Sequence, residues 1–182
     1  MVLTSTIHTF EIELSDVDRS VFEHLSLRVA CHPSESPEHF VTRVLAYCLE
    51  FTPGIEFGRG LSDPDEPALA VRDLTDALRV WIDVGAPDAK RLHHASKASP
   101  RVVVYTHKDP ELVLRALEGE RIHRAEQIEL RSFDRALIAG LVARLDRRTA
   151  FALSVTDGHL YVTIGDDTLD GAVGRHAIAP SS

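Results

Sequence analysis

The stretch from Leu78 to Thr106, LRVWIDVGAPDAKRLHHASKASPRVVVYT, limits what this chain can fold into more than any other. Leu78, Val80, Ile82 and Val84 alternate with Arg79, Trp81 and Asp83, which is the period of a strand, up to Gly85, where the chain can turn. Pro87 and Asp88 open a helix over the basic residues that follow, because proline suits the first helical turn and an Asp side chain satisfies exposed N–H groups. Arg101 to Thr106 is a β-branched run that reads as a buried strand. A strand, a crossover helix and another strand predict a parallel pair with a right-handed connection.

Regular elements are expected on both sides of this unit. Phe10, Ile12 and Leu14 alternate with Glu11 and Glu13, and Val21, Leu25, Leu27 and Val29 repeat the period after the polar turn Ser15 to Ser20, so the chain opens with a β-hairpin. Ser36, Pro37 and Glu38 mark a helix start, and Val41, Val44, Leu45 and Cys48 give it an apolar stripe up to about Glu50, before Pro53 and Gly54. Ile55 to Phe57 and Pro67 to Arg72 read as extended. Beyond the parallel unit, Pro110 to Leu117 reads as helix, Gln127 to Ser132 as strand and Phe133 to Arg147 as a longer helix. Thr149 to Val155 and His159 to Ile164 flank Asp157-Gly158, a type I′ turn signal, and form a closing hairpin. The tail Ala179 to Ser182 is expected to fray.

No repeat or linker interrupts this order, and 182 residues suit one domain, here 1–182, with a central core over about 36–106. A hydrophobic fraction of 44% with 26% charged residues is globular, and no apolar run approaches the ~20 residues that cross a bilayer. The first residues lack a basic start followed by an unbroken apolar stretch, so a cytoplasmic protein without membrane attachment is expected. Cys31 and Cys48 suggest neither a disulfide framework nor a zinc site.

The net charge of −8 repels polyanions at long range. Locally the balance reverses: between Ala89 and Lys108 stand Lys90, Arg91, Lys97, Arg101 and Lys108, with His93, His94 and His107, and no acid. This basic segment is the expected contact for nucleic acid, with a solvated helix face as the plainer alternative. Upstream, Asp63, Asp65 and Glu66 lie in a Pro-flanked loop and Asp83 ends the strand. Acids at a strand end followed by a basic helix can hold Mg²⁺ beside a phosphate.

From Ser36 onward the expected element order is αβββαβ, the minimal core of the restriction-endonuclease-like fold with its mixed sheet. The strings CHPSESPE, FGRGLSDPDEP, VWIDVGAPDAKRLHHAS and VVVYT, in this order and spacing, resemble the bacterial YaeQ family, placed among PD-(D/E)xK-like proteins. The resemblance runs through essentially the whole chain. It implies an α+β or α/β restriction-endonuclease-like core with hairpins at both termini, and nuclease-like phosphodiester chemistry with Mg²⁺.

In that arrangement Mg²⁺ takes hard oxygen ligands from two neighbouring strands and leaves places for water and a phosphate oxygen. The resemblance puts the second carboxylate at Asp83 and the first in the loop, where Asp65 and Glu66 lie nearest the middle strand. Asp63, which precedes a proline, cannot be helical. The first helix can add Glu38 or Glu50. The lysine usually found two residues after the strand acid is absent, since that position is Gly85. The resemblance implies that a cation from the following helix replaces it: Lys90, Arg91, Lys97 or His94. Where the family pattern has a lysine this chain has His94, and where it has an acid after the DEP proline this chain has Ala68.

Three readings follow. The first is a metal-dependent phosphodiesterase that uses Asp83, Glu66 and Asp65 on Mg²⁺, with Lys97, Lys90 or Arg91 on the phosphate. The second is a catalytically silent module on the same fold, which binds nucleic acid or a protein of the transcription machinery. In the third the acids are internally ion-paired and no nucleic acid is involved, and an Asp83 bonded to Arg79 or Arg91 would favour it.

Overall fold

A computed structural model describes residues 4–59 and 63–179. Gly60 and Ser62 of the acidic segment, and the tail beyond Ala179, lie outside the described residues. The order of elements is β1 (Thr6–Asp16), β2 (Val21–Cys31), α1 (Pro37–Leu49), β3 (Ile55–Phe57), β4 (Leu69–Arg72), β5 (Leu78–Val84), α2 (Ala89–Ala98), β6 (Arg101–Thr106), α3 (Pro110–Leu117), β7 (Glu129–Phe133), α4 (Arg135–Ala143), β8 (Arg148–Thr156), β9 (His159–Ile164) and β10 (Asp167–Ala177). Residues 36–106 therefore follow αβββαβ, as the sequence predicts. The chain forms two compact units, Met1–Val41 with Phe133–Gly174, and Thr42–Ser132 with Arg175–Ser182.

In the first unit β2, β1, β8, β9 and β10 lie side by side. β1 and β2 are antiparallel, β1 and β8 parallel with Thr9 opposite Arg148, and β8, β9 and β10 form an antiparallel meander. The alternation of the sequence decides which side is covered. Phe10, Ile12 and Leu14 of β1 and Phe151, Leu153 and Val155 of β8 are buried, while Glu11, Glu13, Ala150 and Ala152 face solvent. Asp157 and Gly158 both take positive φ, 51° and 70°, as a type I′ turn requires.

Two expectations for this unit need correction. The long helix over Phe133 to Arg147 is α4, limited to Arg135–Ala143. Asp134 begins it, its side chain accepting from the backbones of Ala136 and Leu137, and Arg144 caps its end. The closing hairpin is a three-stranded meander, because β10 adds 11 residues. A Cβ at Gly171 of β10 would lie 2.6 Å from Cβ of Asp134, so glycine lets strand and helix start pack together.

In the second unit the strand order is β7-β6-β5-β4-β3. β3, β4 and β5 are antiparallel, whereas β5, β6 and β7 are parallel, with α2 and α3 in the two crossovers. The chain passes from the first unit to the second within α1; the predicted stripe of Val41, Val44, Leu45 and Cys48 is buried, and Ser36 Oγ accepts from the backbone N–H of His39 at the helix start. The region expected to be extended from Gln127 begins instead with a 3-10 turn, Ala125–Gln127, and the strand starts at Glu129. β5 is covered on both sides: Trp81, Ile82 and Asp83 are all buried. Trp81 joins Leu92 and Ala95 of α2 and Val102 and Val104 of β6 in one apolar cluster, so the face that Asp83 shares with Trp81 is interior.

Candidate functional site

The turn after β5 places every group at its end. Gly85 takes φ 92°, which an L side chain would resist, and its N–H donates to Tyr105 O at 2.9 Å. Three residues on, Asp88 caps α2 by accepting from the Arg91 backbone N–H at 2.8 Å. The cap fixes the first turn of α2 and brings the Arg91 side chain back over the end of β5.

Arg91 then closes on Asp83. Its Nε donates to Asp83 Oδ2 at 2.7 Å and its Nη2 to Oδ1 at 3.0 Å, a bidentate pair. The same guanidinium donates through Nη1 to Asp63 O at 3.0 Å and through Nη2 to Glu66 O at 2.7 Å. It also lies 5.4 Å from the ring centroid of Trp81. The Ala68 N–H approaches Asp83 Oδ1 at 3.4 Å. Arg91 thus fastens strand, helix and acidic loop together. Burial works against its charge, but the hydrogen bonds to Asp83 and the fields of Asp83, Asp88 and Asp63 outweigh it and hold Arg91 above its ordinary range.

The other residues singled out from the sequence do not join this knot through their side chains. Asp65 is 79% exposed, with Oδ1 3.7 Å from His94 Nε2, and its backbone N–H donates to Asp63 Oδ1 at 2.9 Å. Glu66 contributes its carbonyl to Arg91. His94 meets Trp81 edge to face at 5.6 Å, so Trp81 packs against α2. Lys90 and Lys97 are exposed on α2. Glu38 occupies the first turn of α1, where an acid complements the helix dipole, and belongs to the other unit.

Magnesium does not fit this arrangement. It requires open oxygen ligands in octahedral geometry, whereas both oxygens of Asp83 are engaged by N–H donors of Arg91. Among the described residues no group of three or more His, Cys, Asp or Glu side chains could hold a metal ion.

A second ionic cluster, which the sequence did not mark as a unit, begins at the start of β6. Arg101 reaches Glu50 at 2.7 Å and Glu129 at 2.6 Å. Arg131 adds a further bond to Glu129 at 2.6 Å, and Tyr105 Oη donates to Glu50 at 2.6 Å. Burial and then the field of Glu50 push the Tyr105 hydroxyl well above its usual range. Burial would raise Glu129 as well, but its bonds to Arg101 hold it below the usual carboxylate value. The signal available in sequence was the period of β6, which puts Arg101 and Tyr105 on one face; their acidic partners come from elements far along the chain.

The basic segment therefore divides by residue type. Both of its arginines are committed to carboxylates, whereas Lys90, Lys97 and Lys108 are exposed. No helix among the described residues is long and apolar enough to cross a membrane.

Comparison with known proteins agrees along nearly the whole chain. YaeQ of Escherichia coli K12 is 26% identical over 171 residues, covering 93% of this chain and 94% of its own. YaeQ of Salmonella typhi is 25% identical over the same length. The crystal structure of the YaeQ protein from Pseudomonas syringae superposes with a TM-score of 0.86 at 29% identity, covering 94% of this chain and 95% of that one. That from Xanthomonas axonopodis pv. citri gives 0.83, also at 29% identity, over 97% of this chain and 100% of its own. A family model described as YaeQ protein matches residues 1–172, and this chain belongs to the YaeQ family.

Proposed function

We propose that this chain is a catalytically silent nucleic-acid-binding module built on a PD-(D/E)xK-like scaffold. Catalytic silence is carried by the bidentate closure of Asp83 by Arg91, reinforced by two carbonyls of the acidic loop. That pairing equally favours the reading with internally paired acids, and the exposed lysines of the basic segment are what favour binding over it. A guanidinium neutralises the strand acid as a divalent cation would, but it cannot lower the pKa of a water or accept a phosphate oxygen as a Lewis acid. The αβββαβ order over residues 36–106 supports the scaffold.

Binding to nucleic acid is supported by the acid-free segment from Lys90 to Lys108 and by the exposure of its three lysines. Because the chain as a whole carries −8, the contact is local, and affinity should fall steeply as salt rises. Purified protein with Mg²⁺ or Mn²⁺ is expected to leave single- and double-stranded DNA and RNA intact while binding oligonucleotides without metal. Metal-dependent cleavage abolished by Asp83→Asn would overturn this reading in favour of a phosphodiesterase that uses Asp83, Glu66 and Asp65.

A further inference from the structure

A surface that no single stretch of sequence carries is built where the connector after α3 lies along α2. The backbone N–H of His123 donates to Nδ1 of His93 at 3.0 Å, and the two rings meet edge to face at 6.3 Å. One residue on, Nη2 of Arg124 donates to Ser96 O at 2.8 Å. These bonds lay the run Arg121-Ile122-His123-Arg124, which contains no acid, against a helix that contains none either. Glu118, Glu120 and Glu126 flank the run without interrupting it.

The chemistry of the surface is that of a phosphate contact. Lys97 stands one helical turn from His93 and is exposed, as are Arg121, His123 and Arg124. Lys97 and Arg121 make no ion pair among the described residues. Since Nδ1 of His93 accepts from a backbone N–H, its neutral ring carries the proton on Nε2 and offers it as a donor. Arg124 holds a left-handed backbone, φ 49° and ψ 43°, a conformation that favours glycine or asparagine. Its guanidinium has N–H donors beyond the one on Ser96. The crowding of like charge is felt at His93, which burial first, and then Lys97, Arg121 and His123, hold below its ordinary range.

A protein partner would need apolar or aromatic anchors at the centre of its interface. The large exposed hydrophobic residues among those described are Ile7, Val17, Phe22, Leu74, Leu112 and Tyr161, none of them on α2 or on the run. A phosphodiester backbone asks only for spaced cations and donors. We infer that Lys97, Arg121, Arg124 and the Nε2–H of His93 form one phosphate-contacting surface for a nucleic-acid backbone, so that two segments of the chain share the contact. This inference rests on the binding function proposed above.

The test is fluorescence anisotropy of labelled single-stranded and duplex oligonucleotides over a salt series. It uses the full chain, Lys97→Ala, Arg121→Ala and, as a control for lost charge, Arg28→Ala on the exposed face of β2. Each of the first two substitutions should weaken binding about tenfold at low salt and flatten the duplex salt slope by about 0.9. Arg28→Ala should bind as the parent does. Histidine-labelled NMR of the unsubstituted chain gives a second readout, since a bound phosphate offsets the repulsion at His93 and its titration should move upward. If oligonucleotides bind but neither substitution nor the His93 signal responds, this surface is overturned and the proposed function stands. If the unsubstituted chain binds no oligonucleotide, the proposed function itself fails. An acidic peptide bound through Lys97 and Arg121 in that case would overturn the assignment of the partner.

Discussion

Arg91 and Arg101 belong to the same basic segment and face opposite balances of charge. At the end of β5, Arg91 meets one carboxylate and two backbone carbonyls. Asp83 is 3% exposed and Arg91 24%, while Asp63, Asp65 and Asp88 remain in solvent around them. At the start of β6, Arg101 meets two carboxylates, and Arg131 compensates the second. The β6 cluster alternates its charges and balances itself. The β5 cluster neutralises one deeply buried acid and leaves an excess of carboxylate outside. Arg91 occupies both oxygens of the buried acid at β5, whereas Arg101 is shared between two carboxylates at β6.

Removing the two arginines should break the symmetry between these regions. Arg91→Met strands Asp83 in the interior without a counter-charge and also frees the acidic loop, so a loss of about 3–5 kcal/mol is expected in urea unfolding. Arg101→Met should cost less, about 2–3 kcal/mol, because its side chain is 38% exposed and Arg131 still balances Glu129. Equal losses would mean that Asp83 is no more dependent on Arg91 than Glu50, 10% exposed and still bonded to Tyr105, is on Arg101. Trp81→Phe sharpens the comparison at the packing level. Among the described residues the buried indole Nε1 has no hydrogen-bond partner, so the substitution removes volume but no hydrogen bond, and a cost of about 1 kcal/mol is expected from the lost packing.

The smallest effects lie in pH dependence, where two histidines act in opposite directions. His24 is raised by its hydrogen bonds to Glu13 and Glu11. Its contribution is therefore present below the unfolded value of about 6.5 and is lost as pH rises through the folded value. His93 is lowered, by burial and then by Lys97 and Arg121. Below pH of about 6.5 the unfolded chain takes up a proton that the folded ring refuses, so stability falls as pH drops. Urea midpoints measured from acid to mildly alkaline pH should show His24→Asn losing most on the acid side and His93→Asn losing part of the acid sensitivity.

Local structure is legible in the sequence where one residue type settles a conformation. Asp157-Gly158 marks its turn, Asp88 caps α2, and the alternation of Phe10, Ile12 and Leu14 selects the buried side of β1. β10 carries no such signal, because DTLDGAVGRHA is mostly exposed or half-buried and no apolar alternation announces it. The sequence suggests a longer α4 than the structure has, because its apolar run continues to Leu145 after the Arg144 cap has ended the helix. At the candidate site Asp83 and Arg91 were both legible, but their pairing depended on how the first turn of α2 folds back over β5. The run Arg121–Arg124 had no periodicity of its own, and only its bonds to His93 and Ser96 give it a place.

Thermal unfolding with and without millimolar Mg²⁺ or Mn²⁺, for the unsubstituted chain and Asp83→Asn, tests the closure of Asp83 most directly. Any ion held by the folded state alone must raise the midpoint by mass action. With Arg91 on both carboxylate oxygens, the midpoint of the unsubstituted chain should not respond to metal, and Asp83→Asn should unfold earlier with or without it. A midpoint that rises with metal, in a manner that Asp83→Asn abolishes, would show that the carboxylate is open to a cation and that Arg91 does not close the site.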